Sequence, residues 1–260
     1  MANTSTITDT MLTTVRSRGT LMGGTMRSGA SVIRTLGRAT FEEITEKADA
    51  EQLELMKEQI VQVNEQDKMV GPISKKNAHI YDGVLHRAFS VFVFNSRNEL
   101  LIQKRACEKI TFPGFWANTC CSHPLFIKGE LEDGVGVKRA AIRKLEHELG
   151  IPASTFSVDD LAYVSTVMYK ASSDANWTEY EMDHILFARA ELSLDKVNLN
   201  EVEQVEWVAR KDLPALLGSS VRKLSPWFHL IGTNLLPCWW DDLDAVLEKD
   251  NTDHQIYDYR

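Results

Sequence analysis

No stretch of this chain approaches the ~20 consecutive apolar residues that a membrane-spanning helix requires. Nor does an apolar core follow the first charges, as it does in a secretory signal, so the chain reads as soluble with no membrane partner. Positive charge is short: 29 Lys and Arg against 37 Asp and Glu leave a net charge of -8. That balance argues against a nucleic-acid partner, because phosphate backbones call for a basic face, and an anionic substrate would need a local basic pocket. Cysteine is scarce, with Cys107, Cys120, Cys121 and Cys238 alone among 260 residues. Two are adjacent and none forms a CxxC pair, which argues against a disulfide framework and a structural zinc knuckle and for a reducing compartment. Acidic residues are almost missing from positions 1–40, where Asp9 stands alone against Arg16, Arg18, Arg27, Arg34 and Arg38 in a background of Ser, Thr, Gly and Met. This is the composition of an organellar transit peptide, or of a leader without an address. The expected location is cytoplasmic, or mitochondrial or plastid if the leader is a transit peptide.

What is present reads as one α+β domain over 50–238, with 1–49 as a leader and 239–260 as a C-terminal helix and acidic tail. Leu53, Met56, Ile60 and Val63 lead in at near-helical spacing that hands over to a strand. His86–Asn95 and Glu99–Arg105 read as two apolar strands around the turn Ser96-Arg97-Asn98, a hairpin at the heart of a sheet. Between Asp133 and Leu149, the residues Val137, Ala141, Leu145 and Leu149 fall four apart, Gly150 stands at the stop and Pro152 just beyond, predicting an amphipathic helix. Strands are expected at Leu161–Tyr169, Met182–Ala190 and Val202–Val208, and helices at Arg210–Leu217, Pro226–Ile231 and Trp240–Lys249.

The chemistry-bearing residues are scattered in a way that core packing does not explain. His79 and His86 flank a glycine-containing loop. Cys121 and His123 sit in Asn118-Thr119-Cys120-Cys121-Ser122-His123-Pro124, where proline fixes a local bend. Glu179 and Glu181 are two apart at a strand start, so both carboxylates face one side of the sheet, at a cost unless a cation offsets them. Imidazole and carboxylate together suit Zn, Mn or Fe. Each has an ordinary alternative: a satisfied histidine, two solvated acids at an exposed strand end, a small buried thiol. Lys75, Lys104, Arg105 and Lys109 could hold a diphosphate or be merely solvated.

Gly129, followed by Arg143-Lys144-Leu145-Glu146-His147-Glu148-Leu149-Gly150-Ile151, resembles the Nudix signature with three carboxylates lost. Val135, Lys144 and His147 stand where that family has Glu, and Glu148 alone survives. Metal-activated hydrolysis needs several of those carboxylates, which counts against a Nudix diphosphohydrolase, the alternative reading. With Leu85-His86-Arg87-Ala88-Phe89-Ser90-Val91-Phe92, Lys109-Ile110-Thr111-Phe112-Pro113-Gly114, Trp177-Thr178-Glu179-Tyr180-Glu181 and Ser225-Pro226-Trp227 also in order, the chain closely resembles the type I isopentenyl-diphosphate Δ-isomerases, from about Ala50 to Cys238. The resemblance implies a Nudix-like α/β fold, a mixed β-sheet sandwiched by helices. It implies conversion of isopentenyl diphosphate to dimethylallyl diphosphate in isoprenoid biosynthesis, by protonation and deprotonation through a tertiary carbocation. It further implies that His79, His86, His123, Glu179 and Glu181 hold a divalent metal (Zn²⁺, Mn²⁺ or Mg²⁺), and that Glu148 with the Cys121 carbonyl holds a Mg²⁺ arriving with the diphosphate. Lys75, Arg105, Lys109 and Lys144 or Arg143 would meet phosphate oxygens. Cys121 and Glu181 would act as the acid/base pair with Tyr169 tuning the glutamate, and the Trp227 ring face would stabilise the cation by about 2 kcal/mol. The oligomer is expected to be a monomer or homodimer. A non-catalytic diphosphate- or metal-binding module is the remaining alternative, and it would have no need of a thiol facing a glutamate.

Overall fold

A computed structural model describes residues 38–248 and 255–260. The transit-peptide expectation for 1–40 therefore lies almost wholly outside the described residues. The remainder of the expected leader is built into the fold, because contacts group Thr40–Arg260 into one compact unit. Thr40 and Glu43 form a reciprocal capping box on helix α1 (Phe41–Thr45), and Asp49 caps α2 (Ala50–Leu55) through the amides of Glu51 and Gln52.

Chain order then runs β1 (Gln59–Val63), β2 (Met69–Ser74), α3 (Lys75–His79), β3 (His86–Phe94), β4 (Leu100–Arg105), β5 (Trp116–Ala117), β6 (Cys120–Ser122) and α4 (Gly136–Leu149). It continues through β7 (Ala162–Ser172), β8 (Thr178–Arg189), β9 (Val202–Val208), α5 (Leu213–Leu217), α6 (Pro226–Asn234), α7 (Leu236–Asp241), α8 (Leu243–Glu248) and β10 (Ile256–Asp258). The strands form one mixed sheet in the order β10-β7-β8-β3-β1-β2, with β4 and β6 joined to β3 and with β5 and β9 joined to β4. Parallel pairing of β3 with β8 runs from His86 opposite Glu181 to Phe94 opposite Arg189.

Alternation along these strands separates two apolar layers. Phe92, Phe94, Ile185 and Phe187 face α6 to α8, whereas Phe89, Val91, Val93 and Leu186 face α4. The predicted stripe of α4 is realised: Ala141, Leu145 and Leu149 are buried, and full burial of each leucine contributes about 1.5–3 kcal/mol. Gly150 ends the helix at φ 65°, where any Cβ would collide with the Lys196 carbonyl.

The expected central hairpin is corrected. Asn95 closes the turn by accepting from the amides of Arg97 and Glu99, yet β3 and β4 pair only at Phe94 and Leu100. The rest of that edge of β3 is taken by β6 and β1, so β4 turns away to pair with β9 and β5. The expected 210–217 helix begins as a 3₁₀ turn at Arg210–Asp212, and the 240–249 helix is two short helices broken at Asp242. The tail is not a separate segment: β10 pairs with β7, Trp240 and Leu243 are buried, and Arg260 reaches Glu65 and the Tyr180 hydroxyl.

Candidate active site

Glu181 organises the site because strand register gives it two fixed neighbours, His86 across the parallel β3 and Tyr169 across the antiparallel β7. Tyr169 Oη donates to Glu181 Oε2 at 2.5 Å, His123 Nε2 lies 2.8 Å from Glu181 Oε1, and His79 Nε2 lies 2.8 Å from Glu179 Oε2. The three imidazoles form a near-equilateral triangle with centroid separations of 4.6, 4.8 and 4.9 Å. One ligand atom from each of His79, His86, His123, Glu179 and Glu181 falls within 4.8 Å of all the others, and all five residues are buried.

The tautomers decide what this cluster needs. His79 Nδ1 and His86 Nδ1 each lie 2.7 Å from a backbone carbonyl, of Lys75 and Val84, so those nitrogens carry the hydrogens and donate them. Both Nε2 lone pairs then point at carboxylate oxygens, and buried His86 Nε2 has no hydrogen-bond partner. Buried nitrogens and carboxylate oxygens that converge on one point are costly, and a divalent cation among three nitrogens and two oxygens offsets that cost. The residues present fit such an ion.

The thiol lies beside this cluster on β6, paired in register with Ser90 of β3. Cys121 Sγ donates to Asn118 Oδ1 at 2.9 Å, and Trp227 Nε1 donates to Cys121 Sγ at 3.0 Å and to Asn118 Oδ1 at 3.1 Å. Burial, and then the Asp183 charge, push the thiol far above its ordinary range. Burial also tends to raise the Glu181 carboxyl, but the hydrogen bonds it accepts, that of the Tyr169 hydroxyl among them, override it and hold the group below the ordinary carboxylate range. A neutral acid thus stands beside an ionised base. The Trp227 ring packs edge-on against Phe112 at 5.4 Å and carries the Arg105 guanidinium 5.5 Å from its centroid, an attraction of its π-face for a cation.

The basic residues divide. Lys75, Arg105 and Lys109 line the same pocket as Cys121, Glu181 and Trp227. Arg105 spends part of its fork on the carbonyls of Thr111 and Phe112. Lys144 is buried behind the pocket wall, 3.3 Å from Glu148 Oε1 and 4.0 Å from Glu201 Oε2, and Gln103 donates to Glu148 at 3.0 Å. Glu201 pairs with Lys109 and accepts from Gln52 of α2 at 3.1 Å. Arg143 is the correction: its guanidinium is clasped by both oxygens of Glu130 and reaches the His123 carbonyl, so it positions the loop carrying His123 and lies outside the pocket lining. Sequence reasoning missed Asn118, Asp183 and Glu201. Asp183 was within reach, since it lies two residues beyond Glu181 on the same strand face, where its carboxylate accepts from Ser90 at 2.7 Å.

The NUDIX domain family matches residues 84–228. An isopentenyl-diphosphate delta-isomerase of Gibberella zeae is 47% identical over 217 residues, covering 80% of this chain and 85% of that protein. Those of Phaffia rhodozyma and Bos taurus are 46% and 42% identical, covering 82% and 78% of this chain and 92% of each relative. The chain belongs to the isopentenyl-diphosphate delta-isomerase family. Among solved structures, one from Deinococcus radiodurans superposes with a TM-score of 0.48 at 18% identity, over 67% of this chain and 97% of that one. Membership fits the altered helix α4, where an isomerase has no use for carboxylates that prepare a hydrolytic water and Lys144 and His147 stand in their place. Among the described residues no helix is long and apolar enough to cross a membrane.

Proposed function

We propose that the chain converts isopentenyl diphosphate to dimethylallyl diphosphate in the pocket between β6, β8 and α6. The observation that carries this reading is the placement of the half-buried Cys121 thiol and the buried Glu181 carboxylate in one pocket with Tyr169 and Trp227. Moving an unactivated double bond needs a proton added at the terminal alkene carbon and another removed from C2, through a tertiary cation. Cys121 Sγ gives the first proton, Glu181 takes the second, and Tyr169 holds the glutamate at the correct angle. The Trp227 face and the excluded water protect the cation from capture as an alcohol.

Lys75, Arg105 and Lys109 meet the diphosphate, with Lys144 behind them. His79, His86, His123, Glu179 and Glu181 would hold one divalent ion, Zn²⁺ or Mn²⁺ by donor set or else Mg²⁺. Glu148 would hold a Mg²⁺ that enters with the diphosphate. Bound there, such ions would supply positive charge that orients the carboxylates and neutralises phosphate. The soluble chain acts on this small molecule as a monomer or homodimer.

Cys121→Ser and Glu181→Gln each lower turnover by several orders of magnitude while melting temperature and far-ultraviolet circular dichroism stay near wild type. Near wild-type rates in both would remove the pair from the mechanism.

A further inference from the structure

Glu201 is 1% exposed, and its two oxygens have separate partners: Oε2 pairs with the Lys109 ammonium, while Oε1 accepts from Gln52 Nε2 at 3.1 Å. Gln52, on α2, is 4% exposed and lines the pocket with Lys75, Arg105 and Lys109. Its carboxamide is held one way round. Asp49, the cap of α2, accepts from Asn200 Nδ2 at 3.0 Å, which turns Asn200 Oδ1 toward Gln52 at 2.7 Å. A carbonyl oxygen can only accept, so Gln52 presents Nε2 on that side, and the same nitrogen reaches Glu201.

Lys109 carries a point charge on a flexible four-carbon stem, and other ammonium groups surround it. Its charge and that of Lys144 press on the Lys75 ammonium, so repulsion favours rotamers that carry Lys109 out of the pocket. The Glu201 carboxylate opposes that repulsion only while its plane is fixed, because the last torsion of a glutamate is broad. We propose that Gln52 is a positioning residue for the diphosphate: by pinning Glu201 Oε1 it turns Oε2 toward the Lys109 ammonium and keeps that charge in the pocket beside Lys75 and Arg105. The inference rests on the proposed prenyl-diphosphate reading, in which Lys109 meets phosphate oxygens. The Gln52 side chain bonds to Asn200 and Glu201, so its effect belongs to substrate binding rather than to proton transfer.

The test separates binding from turnover. Full-length wild type, Gln52→Met, Gln52→Glu, Lys109→Met and each Gln52 change combined with Lys109→Met are compared, with folding checked by circular dichroism. Binding of inorganic diphosphate with Mg²⁺ is measured by isothermal titration calorimetry, and kcat and KM with isopentenyl diphosphate. Met removes the donor at similar length, whereas Glu keeps the shape and sets a second carboxylate against Glu201, so each serves if the other fails to fold. Both raise the diphosphate Kd and KM about 5- to 20-fold and leave kcat within about twofold. In the Lys109→Met background each changes Kd by less than about twofold, because the charge it positions is gone. An unchanged Kd in a folded Gln52 variant overturns the proposal, and so does an equal loss with and without Lys109, which would leave Gln52 as an anchor of α2 only. Failure of the isomerase reading would register separately, as wild type that binds diphosphate with this dependence on Gln52 and Lys109 yet forms no dimethylallyl diphosphate.

Discussion

Replacing Tyr169 by Phe removes one hydroxyl and leaves the ring. That hydroxyl donates to Glu181 Oε2 at 2.5 Å, and tyrosine and glutamate are only 2% and 7% exposed, so water cannot replace the bond. A hydrogen bond to a buried charged group contributes about 1.5–3 kcal/mol, and each 1.36 kcal/mol is tenfold in rate. If the bond acts chiefly by holding the base in its reactive orientation, kcat falls about 10- to 150-fold. KM for isopentenyl diphosphate stays within about twofold, because the hydroxyl is committed to Glu181. The unsatisfied Oε2 also lowers stability by about 1–3 kcal/mol, equivalent to a melting-point loss on the order of 2–10 °C for a domain of this size. Steady-state kinetics with purified variants reads the first effect and calorimetry the second. An unchanged kcat, or a rise in KM at constant kcat, would show that Tyr169 does not act through Glu181.

Chelation followed by gel filtration abolishes activity, and Zn²⁺ or Mn²⁺ restores it. An ion present at 100 times its dissociation constant adds about 2.7 kcal/mol, so the melting point drops on the order of 5–10 °C without it, and identical melting curves would contradict the five-ligand site. Burial, and then the charges of Lys109 and Lys144, bring the Lys75 ammonium from 10.5 to about 8. The folded protein therefore releases this proton before the unfolded chain does. The ammonium is present below about pH 8 and lost above it, and the stability penalty of burying it is relieved as pH rises from about 8 toward 10.5. kcat/KM falls above pH 8 by up to about tenfold per unit, whereas Lys75→Arg keeps its charge and flattens that limb; an alkaline limb identical in both would exclude Lys75. Deleting Ile256–Arg260 removes the β10 pairing and the Tyr259 amide bond to the Met168 carbonyl, and lowers stability by about 2–4 kcal/mol in a denaturant titration, where an unchanged midpoint would show that β10 contributes nothing.

What could be read from the residues was what is local or periodic. Cys121 and His123 lie two apart where β6 ends, Glu179 and Glu181 share a strand face by period two, and the α4 stripe announces itself every fourth residue. The failures were of range and angle. Lys144 and Glu148, four apart, lie along one side of α4, while Arg143, about 100° around the helix, points to Glu130. Glu201 was unreadable because its role depends on the 198–201 turn meeting Lys109 from the far end of β4, a contact across 92 residues. β10 carries only three residues and pairs parallel with a strand about ninety positions earlier, so it leaves no alternating pattern to detect.

The central claim, that Cys121 and Glu181 move protons across a prenyl diphosphate, is tested most directly by NMR of the purified, metal-loaded protein with Mg²⁺ and isopentenyl diphosphate in D₂O. The account predicts dimethylallyl diphosphate carrying deuterium in a methyl group, with no inorganic phosphate released. Released phosphate without isomer, or isomer without deuterium after many reversible turnovers, would contradict it.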